Sequence, residues 1–179
     1  MAPGIATSRN RRKAGARVLD KHRTSPREIT FGSLSGFFAF GFGSGLAPWA
    51  PGTFGTLAAV PIAIAFKLLP PLVLWLVVPV AFVLGVYLCD VASKRLGQHD
   101  PGGIVWDEMV AYWLTVMFIP LHWAWMLAAF VLFRFFDIAK PWPIRWVEKR
   151  FGGGLGIMLD DIVAALYAMA LLGIAYRLF

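Results

Sequence analysis

The chain has 179 residues, 59% hydrophobic and only 15% charged, with a mean hydropathy of +0.68. The length allows one domain, and the apolar share exceeds that of ordinary soluble globules, so a polytopic membrane protein is expected. The net charge of +7 is uneven: residues 1–30 hold eight Lys/Arg against Asp20 and Glu28, and the other 149 hold nine basic and eight acidic groups.

Residues 1–30 read as a disordered, solvated, basic cytoplasmic tail that lies against anionic lipid. They are basic for about 30 residues before any apolar run, which is unlike a cleavable signal peptide. No folded reader stands behind them, so a nucleic-acid partner is not expected. Residues 31–179 read as one membrane-embedded domain. Residues 31–55 are apolar but too rich in Gly and Pro for a regular spanning helix. They read as a loop at the membrane surface or over a site. The loop ends in the turn Pro51-Gly52-Thr53, with Thr53 placed to cap a helix from Phe54. Free backbone N–H groups at such a start can hold a phosphate, or do no more than ordinary capping.

Two apolar runs follow, 54–69 and 72–89, separated by Pro70-Pro71. The second contains the single cysteine, Cys89, which excludes an internal disulfide and a Cys-x-x-Cys site. It ends at Asp90. A polar loop with Lys94, Arg95, His99 and Asp100 leads to Trp106-Asp107-Glu108, where the next apolar stretch opens. Residues 109–133 carry no formal charge and as one helix would run roughly 37 Å, enough to cross a bilayer once. The alternative is a hairpin turning at Pro120-Leu121-His122, with arms 105–119 and 121–136 of about 22–24 Å each. A single crossing puts Asp107/Glu108 and Asp137/Asp160/Asp161 on opposite membrane faces. The hairpin returns every acid after Glu28 to one face, with Lys94, Arg95, Arg134, Lys140, Arg145, Lys149 and Arg150, leaving only Lys67 and Arg177 toward the other. Positive charge gathered in this way marks a cytoplasmic face, and the hairpin is the reading adopted. The expected architecture is an all-α polytopic integral membrane bundle: two short helical hairpins plus a C-terminal membrane helix.

The last polar stretch ends in Gly152-Gly153-Gly154-Leu155-Gly156-Ile157-Met158-Leu159-Asp160-Asp161, followed by a final apolar run from 162 to 176. Adjacent carboxylates beside hydrocarbon are costly. A shared cation explains them; so does negative charge at a helix start. Arg134, Asp137 and Lys140 step by three along a helix, which also describes a surface ion-pair stripe. Taken jointly, these acids at segment ends on one face fit phosphoryl transfer or hydrolysis. Oxygen ligands select Mg²⁺, and Arg and Lys take the remaining phosphate charge. The chain has no Gly-x-Ser-x-Gly elbow, Asp-x-Asp pair or Gly-x-x-x-x-Gly-Lys loop. Its histidines, His22, His99 and His122, are too scattered for a zinc site.

Four blocks carry a resemblance. They are residues 43–56 around Ala50-Pro51-Gly52-Thr53, residues 104–108, Phe133-Arg134-Phe135-Phe136-Asp137 with Lys140-Pro141-Trp142-Pro143, and Gly156-Ile157-Met158-Leu159-Asp160-Asp161. In this order they closely resemble the phosphatidylglycerophosphatase A family over roughly residues 31–170; residues 1–30 lie outside the resemblance. The resemblance implies a Mg²⁺-dependent phosphatase of the bacterial inner membrane, its site facing the cytoplasm. The anionic substrate is phosphatidylglycerophosphate and the product phosphatidylglycerol. Asp107, Glu108, Asp160 and Asp161 are then metal ligands. Asp107, Glu108, Asp137 and Asp161 are catalytic, and Thr53, Arg134 and Lys140 hold substrate. His99 and Asp100 fit the lead-in to the Trp-Asp-Glu block with no assigned role. The rival readings are another lipid phosphatase, such as one for phosphatidate, and a small non-enzymatic membrane transporter.

Overall fold

The computed structural model describes residues 25–98 and 101–178, and these are helical with no strand among them. The charged tail expected over 1–30 falls mostly on residues 1–24, outside the described residues, as do His99 and Asp100. Helix α1 (Pro26–Gly32) already starts inside that stretch. Pro26 suits a first helical turn, and Ser25 and Glu28 form a reciprocal capping box.

The segment expected to be a loop over 31–55 is folded as well. α2 (Leu34–Ala39), capped by the Ser33 side chain, leads into a 3-10 stretch over Gly41–Leu46. Phe42 and Gly43 have positive φ there, so the chain doubles back without a long loop. The following helix, α3 (Pro51–Lys67), begins three residues earlier than expected. Ala50 in the left-handed region is its cap, and Thr53 lies inside the first turn instead of capping it.

α4 (Leu72–Leu96) continues almost two turns beyond the expected end at Asp90. Lys94 pairs with Asp90 at 2.6 Å in the i,i+4 geometry, and Gly97 at φ 64 supplies the left-handed stop. α5 (Trp106–Val116) and α6 (Trp123–Ala139) are separate helices, so residues 109–133 do turn at Pro120-Leu121-His122. After the short α7 (Ile144–Arg150), α8 (Gly153–Leu178) completes the bundle. Among the described residues, α4 and α8 are long and apolar enough to cross a membrane.

α5 is the axis. Its Asp107, Met109, Val110, Ala111, Tyr112 and Trp113 are all buried. Three ring donors tie it to three neighbours: Trp113 Nε1 donates to Ala59 O of α3, Trp106 Nε1 to Ala81 O of α4, and Tyr112 Oη to Met126 O of α6. α8 packs on the remaining side. The polar tips of these large side chains are therefore satisfied without water. α3 and α4 run antiparallel as expected but touch little; each packs mainly on other helices, α3 on α5 and α4 on α8.

These contacts sort the two ends of the bundle. Lys67 Nζ donates to Val116 O at 2.8 Å, Trp75 meets Phe118, and Trp125 meets Tyr176, so 67–75, 116–125 and the end of α8 share one end. The other end gathers the remaining described charges. There Gly154 lies so close to the α4 backbone at Val86 and Asp90 that a Cβ would overlap it. The glycine run before the Asp pair thus serves helix packing.

Candidate active site

Asp107 enters at the first turn of α5, Glu108 beside it, and Asp161 two turns into α8. One carboxylate oxygen from each lies within 4.8 Å of the others. Asp107 and Asp161 are 7% and 3% exposed. Two residues 54 positions apart in sequence therefore share one level of the bundle, as the hairpin reading requires and a single long helix over 109–133 forbids. Glu108 Oε2 and Asp161 Oδ2 are buried with no hydrogen-bond partner among the described residues. Buried carboxylate oxygens left in this way are costly and call for a ligand.

Arg134 closes one side. Its guanidinium pairs with Glu108 at 3.4 Å and with Asp137 at 2.5 Å, one turn further along α6. Asp137 also lies close enough to Asp161 for the two carboxyl groups to interact. Asp137 is thus joined to the acid group through both Arg134 and Asp161. Arg134 Nε is buried without a partner.

Asp160 goes elsewhere. Successive residues on a helix point about 100° apart, and Asp160 turns away from the acid triad to meet Lys140 Nζ at 2.7 Å. Lys140, the left-handed cap of α6, also meets Glu148 of α7 at 3.2 Å. Burial alone would lower the Lys140 pKa; the hydrogen bonds and charges of Asp160 and Glu148 outweigh it, and the value is raised. The structure therefore places Asp160 and Lys140 together in a clamp joining α6, α7 and α8. Asp160 does not stand among the three clustered acids, and Lys140 is occupied by two carboxylates.

Thr53 lies at the start of α3, where the neighbouring Gly52 faces the site. A Cβ on Gly52 would overlap Glu108 Oε1 and crowd the Arg134 guanidinium. The sequence marks Gly52 only as a turn residue. Its placement beside a Pro at the first helical position was the available signal. What it lacked was a partner, since Glu108 and Arg134 are 56 and 82 residues away.

The family model for phosphatidylglycerophosphatase A matches residues 37–176. The chain belongs to that family. The phosphatidylglycerophosphatase A of Escherichia coli strain K12 is 49% identical over 157 residues, 87% of this chain and 91% of that protein. The Haemophilus influenzae protein of the same name is 48% identical over 133 residues, covering 73% and 82% respectively. A Bacteroides thetaiotaomicron protein, which carries phosphatidylinositol-3-phosphatase as a provisional name, is 42% identical over 144 residues, 75% of this chain and 89% of its own. No solved structure gave a significant match. The chain is accordingly an enzyme, a phosphatase, and the transporter reading falls away.

Proposed function

We propose that this phosphatase removes the terminal phosphate of phosphatidylglycerophosphate, giving phosphatidylglycerol, with Mg²⁺ held by Asp107, Glu108 and Asp161. The observation that carries the reading is the meeting of three carboxylates inside an apolar bundle, two of them with buried oxygens that lack a partner. An all-oxygen set suits a hard divalent cation, and Mg²⁺ keeps positions for water and phosphate. When bound, the ion supplies charge neutralisation for the phosphate and a more acidic water. The chain's own residues do the rest. Arg134, with its uncommitted Nε, holds a phosphate oxygen. Of the first α3 turn, the Gly52 N–H is the donor left for the same oxygens, since the Thr53 N–H is already bonded to Ala50 O at 2.9 Å. Asp137, beside Asp161 and paired with Arg134, accepts the proton of the attacking water. Lys140 and Asp160 hold α6 against α8 and so set where Asp161 points.

The bundle lies in the bacterial inner membrane with the charged end toward the cytoplasm. All described acids lie at that end, with every described Lys and Arg except Lys67 and Arg177. Exposed Phe31, Trp49, Trp142 and Trp146 stand there as a headgroup-level belt. A second reading, a phosphatase for another lipid phosphomonoester, is favoured only by the name of the Bacteroides relative.

The test is a Mg²⁺-titrated assay with purified protein in detergent on phosphatidylglycerophosphate, phosphatidate and phosphatidylinositol 3-phosphate. Phosphate release from the first, lost with EDTA and restored by Mg²⁺, is expected. Preference for either other lipid would replace the substrate, and full activity in EDTA would remove the metal.

A further inference from the structure

A groove of about 470 Å³ runs between α3 and α6. Leu57, Val60 and Ile64 form one wall, Met126 and Phe130 the other, and Tyr112 of α5 the floor. It holds almost no polar surface. The Tyr112 hydroxyl is spent on Met126 O, and His122 at the far end accepts from Ala124 N. All three helices satisfy their own backbones, so nothing in the groove is offered to a peptide strand or a polar ligand. Its rim is open sideways, where Leu127 and Trp123 are 54% and 73% exposed.

The register of the lining residues says where the groove leads. On α3, Leu57, Val60 and Ile64 form one stripe, and the residue one turn before Leu57 is Thr53. On α6, one turn beyond Phe130 is Arg134; on α5, one turn before Tyr112 is Glu108. All three stripes thus rise into the acid and arginine site. From Thr53 to Ile64 is about 16 Å of helix, the reach of an extended hydrocarbon chain.

We propose that this groove binds one acyl chain of the phospholipid substrate, entering sideways from the bilayer, and so places the terminal phosphate at Arg134. The proposal rests on the lipid-phosphatase reading above. The occupant is an acyl chain because the walls are hydrocarbon, the rim is open sideways between apolar side chains, and the site residues Thr53, Glu108 and Arg134 lie one helical turn beyond the lining. The gain is burial of methylenes in a shaped slot instead of mobile lipid, which tightens binding of the long-chain lipid and orders its headgroup.

The full-length protein in detergent is photolabelled with phosphatidylglycerophosphate bearing a diazirine at one acyl terminus. Adducts on residues 57–64 and 121–130 are expected, cut at least about fivefold by Val60→Trp, which fills the slot. In parallel, Val60→Trp raises KM for the long-chain lipid about tenfold and leaves KM for the dihexanoyl lipid within about twofold. Leu127→Trp, at an exposed rim position, carries the same test if Val60→Trp does not fold. Adducts spread over the outer faces of α4 and α8, adducts joining two copies of the chain, or equal KM changes for both lipids would overturn the proposal. Absence of phosphate release from either lipid by the unaltered protein would instead sink the phosphatase reading, while the labelling pattern still decides the groove.

Discussion

Asp160 and Asp161 are neighbours in the chain and do opposite work. Asp160 is closed into an ion pair with Lys140, itself tied to Glu148. Asp161 faces Asp107, Glu108 and Asp137, and its Oδ2 is buried without a hydrogen-bond partner. The first group of charges is neutralised by the protein and fastens α6, α7 and α8 together. The second has an excess of negative charge held in an apolar interior, where repulsion costs stability unless something positive arrives. A protein spends such stability at a site that binds.

The contrast breaks most directly at Asp161. Asp161→Asn is expected to lower kcat by at least about 10³-fold, the several kcal/mol a metal-centred site supplies. The melting temperature in Mg²⁺-free detergent should hold or rise, because a repulsive charge has gone. A folded Asp161→Asn protein with full turnover would remove that residue from the chemistry.

Gly52→Ala comes next. The added methyl overlaps Glu108 Oε1 and crowds the Arg134 guanidinium, so kcat should fall about 10- to 100-fold with a modest loss of stability. Stopped assays and thermal melts on the same preparation separate the two. Unchanged turnover would mean that Glu108 and Arg134 are free to shift and that their spacing is not critical.

Asp160→Asn should behave as the mirror image of Asp161→Asn. It leaves the half-buried Lys140 with Glu148 as its one remaining charged partner among the described residues, so the expected loss is about 1–3 kcal/mol of stability, with turnover down by less than about tenfold. Pairing it with Lys140→Met in a double-mutant cycle should reveal a coupling near 1 kcal/mol. If Asp160→Asn abolishes turnover without a change in melting, the clamp belongs to the active site after all.

The smallest effect is on pH. The Lys140 pKa is raised in the folded protein, so the folded state binds this proton more tightly than the unfolded chain. Its contribution is whole below the ordinary lysine value of about 10.4 and is lost as pH rises through the folded value. Melting temperature should therefore fall faster above about pH 10.4 in the unaltered protein than in Lys140→Met. Parallel curves would show that the clamp adds nothing through its charge.

Much of this was legible in the chain itself. Long uncharged runs such as 72–89 announced apolar helices, because hydrocarbon length needs no partner to be recognised. Pro120-Leu121-His122 announced the turn between α5 and α6, because proline interrupts a helix wherever it lies. The meeting of Asp107, Glu108 and Asp161 followed from that turn. Less visible were the local devices: α1 was hidden at the end of the basic tail, α2 by its shortness, and the 3-10 stretch by Gly41 and Gly43, whose positive φ makes a compact reversal look like a loop.

Composition and motif order by themselves determined an all-helical chain, its family and the candidate acids. Only the tertiary structure decided their division of labour: which carboxylate of the Asp pair is neutralised, that Lys140 is already taken, and that Gly52 must stay small. The reason is geometric. A sequence states the 100° between successive helical residues, but which neighbour stands on each side depends on how four other helices pack around α5.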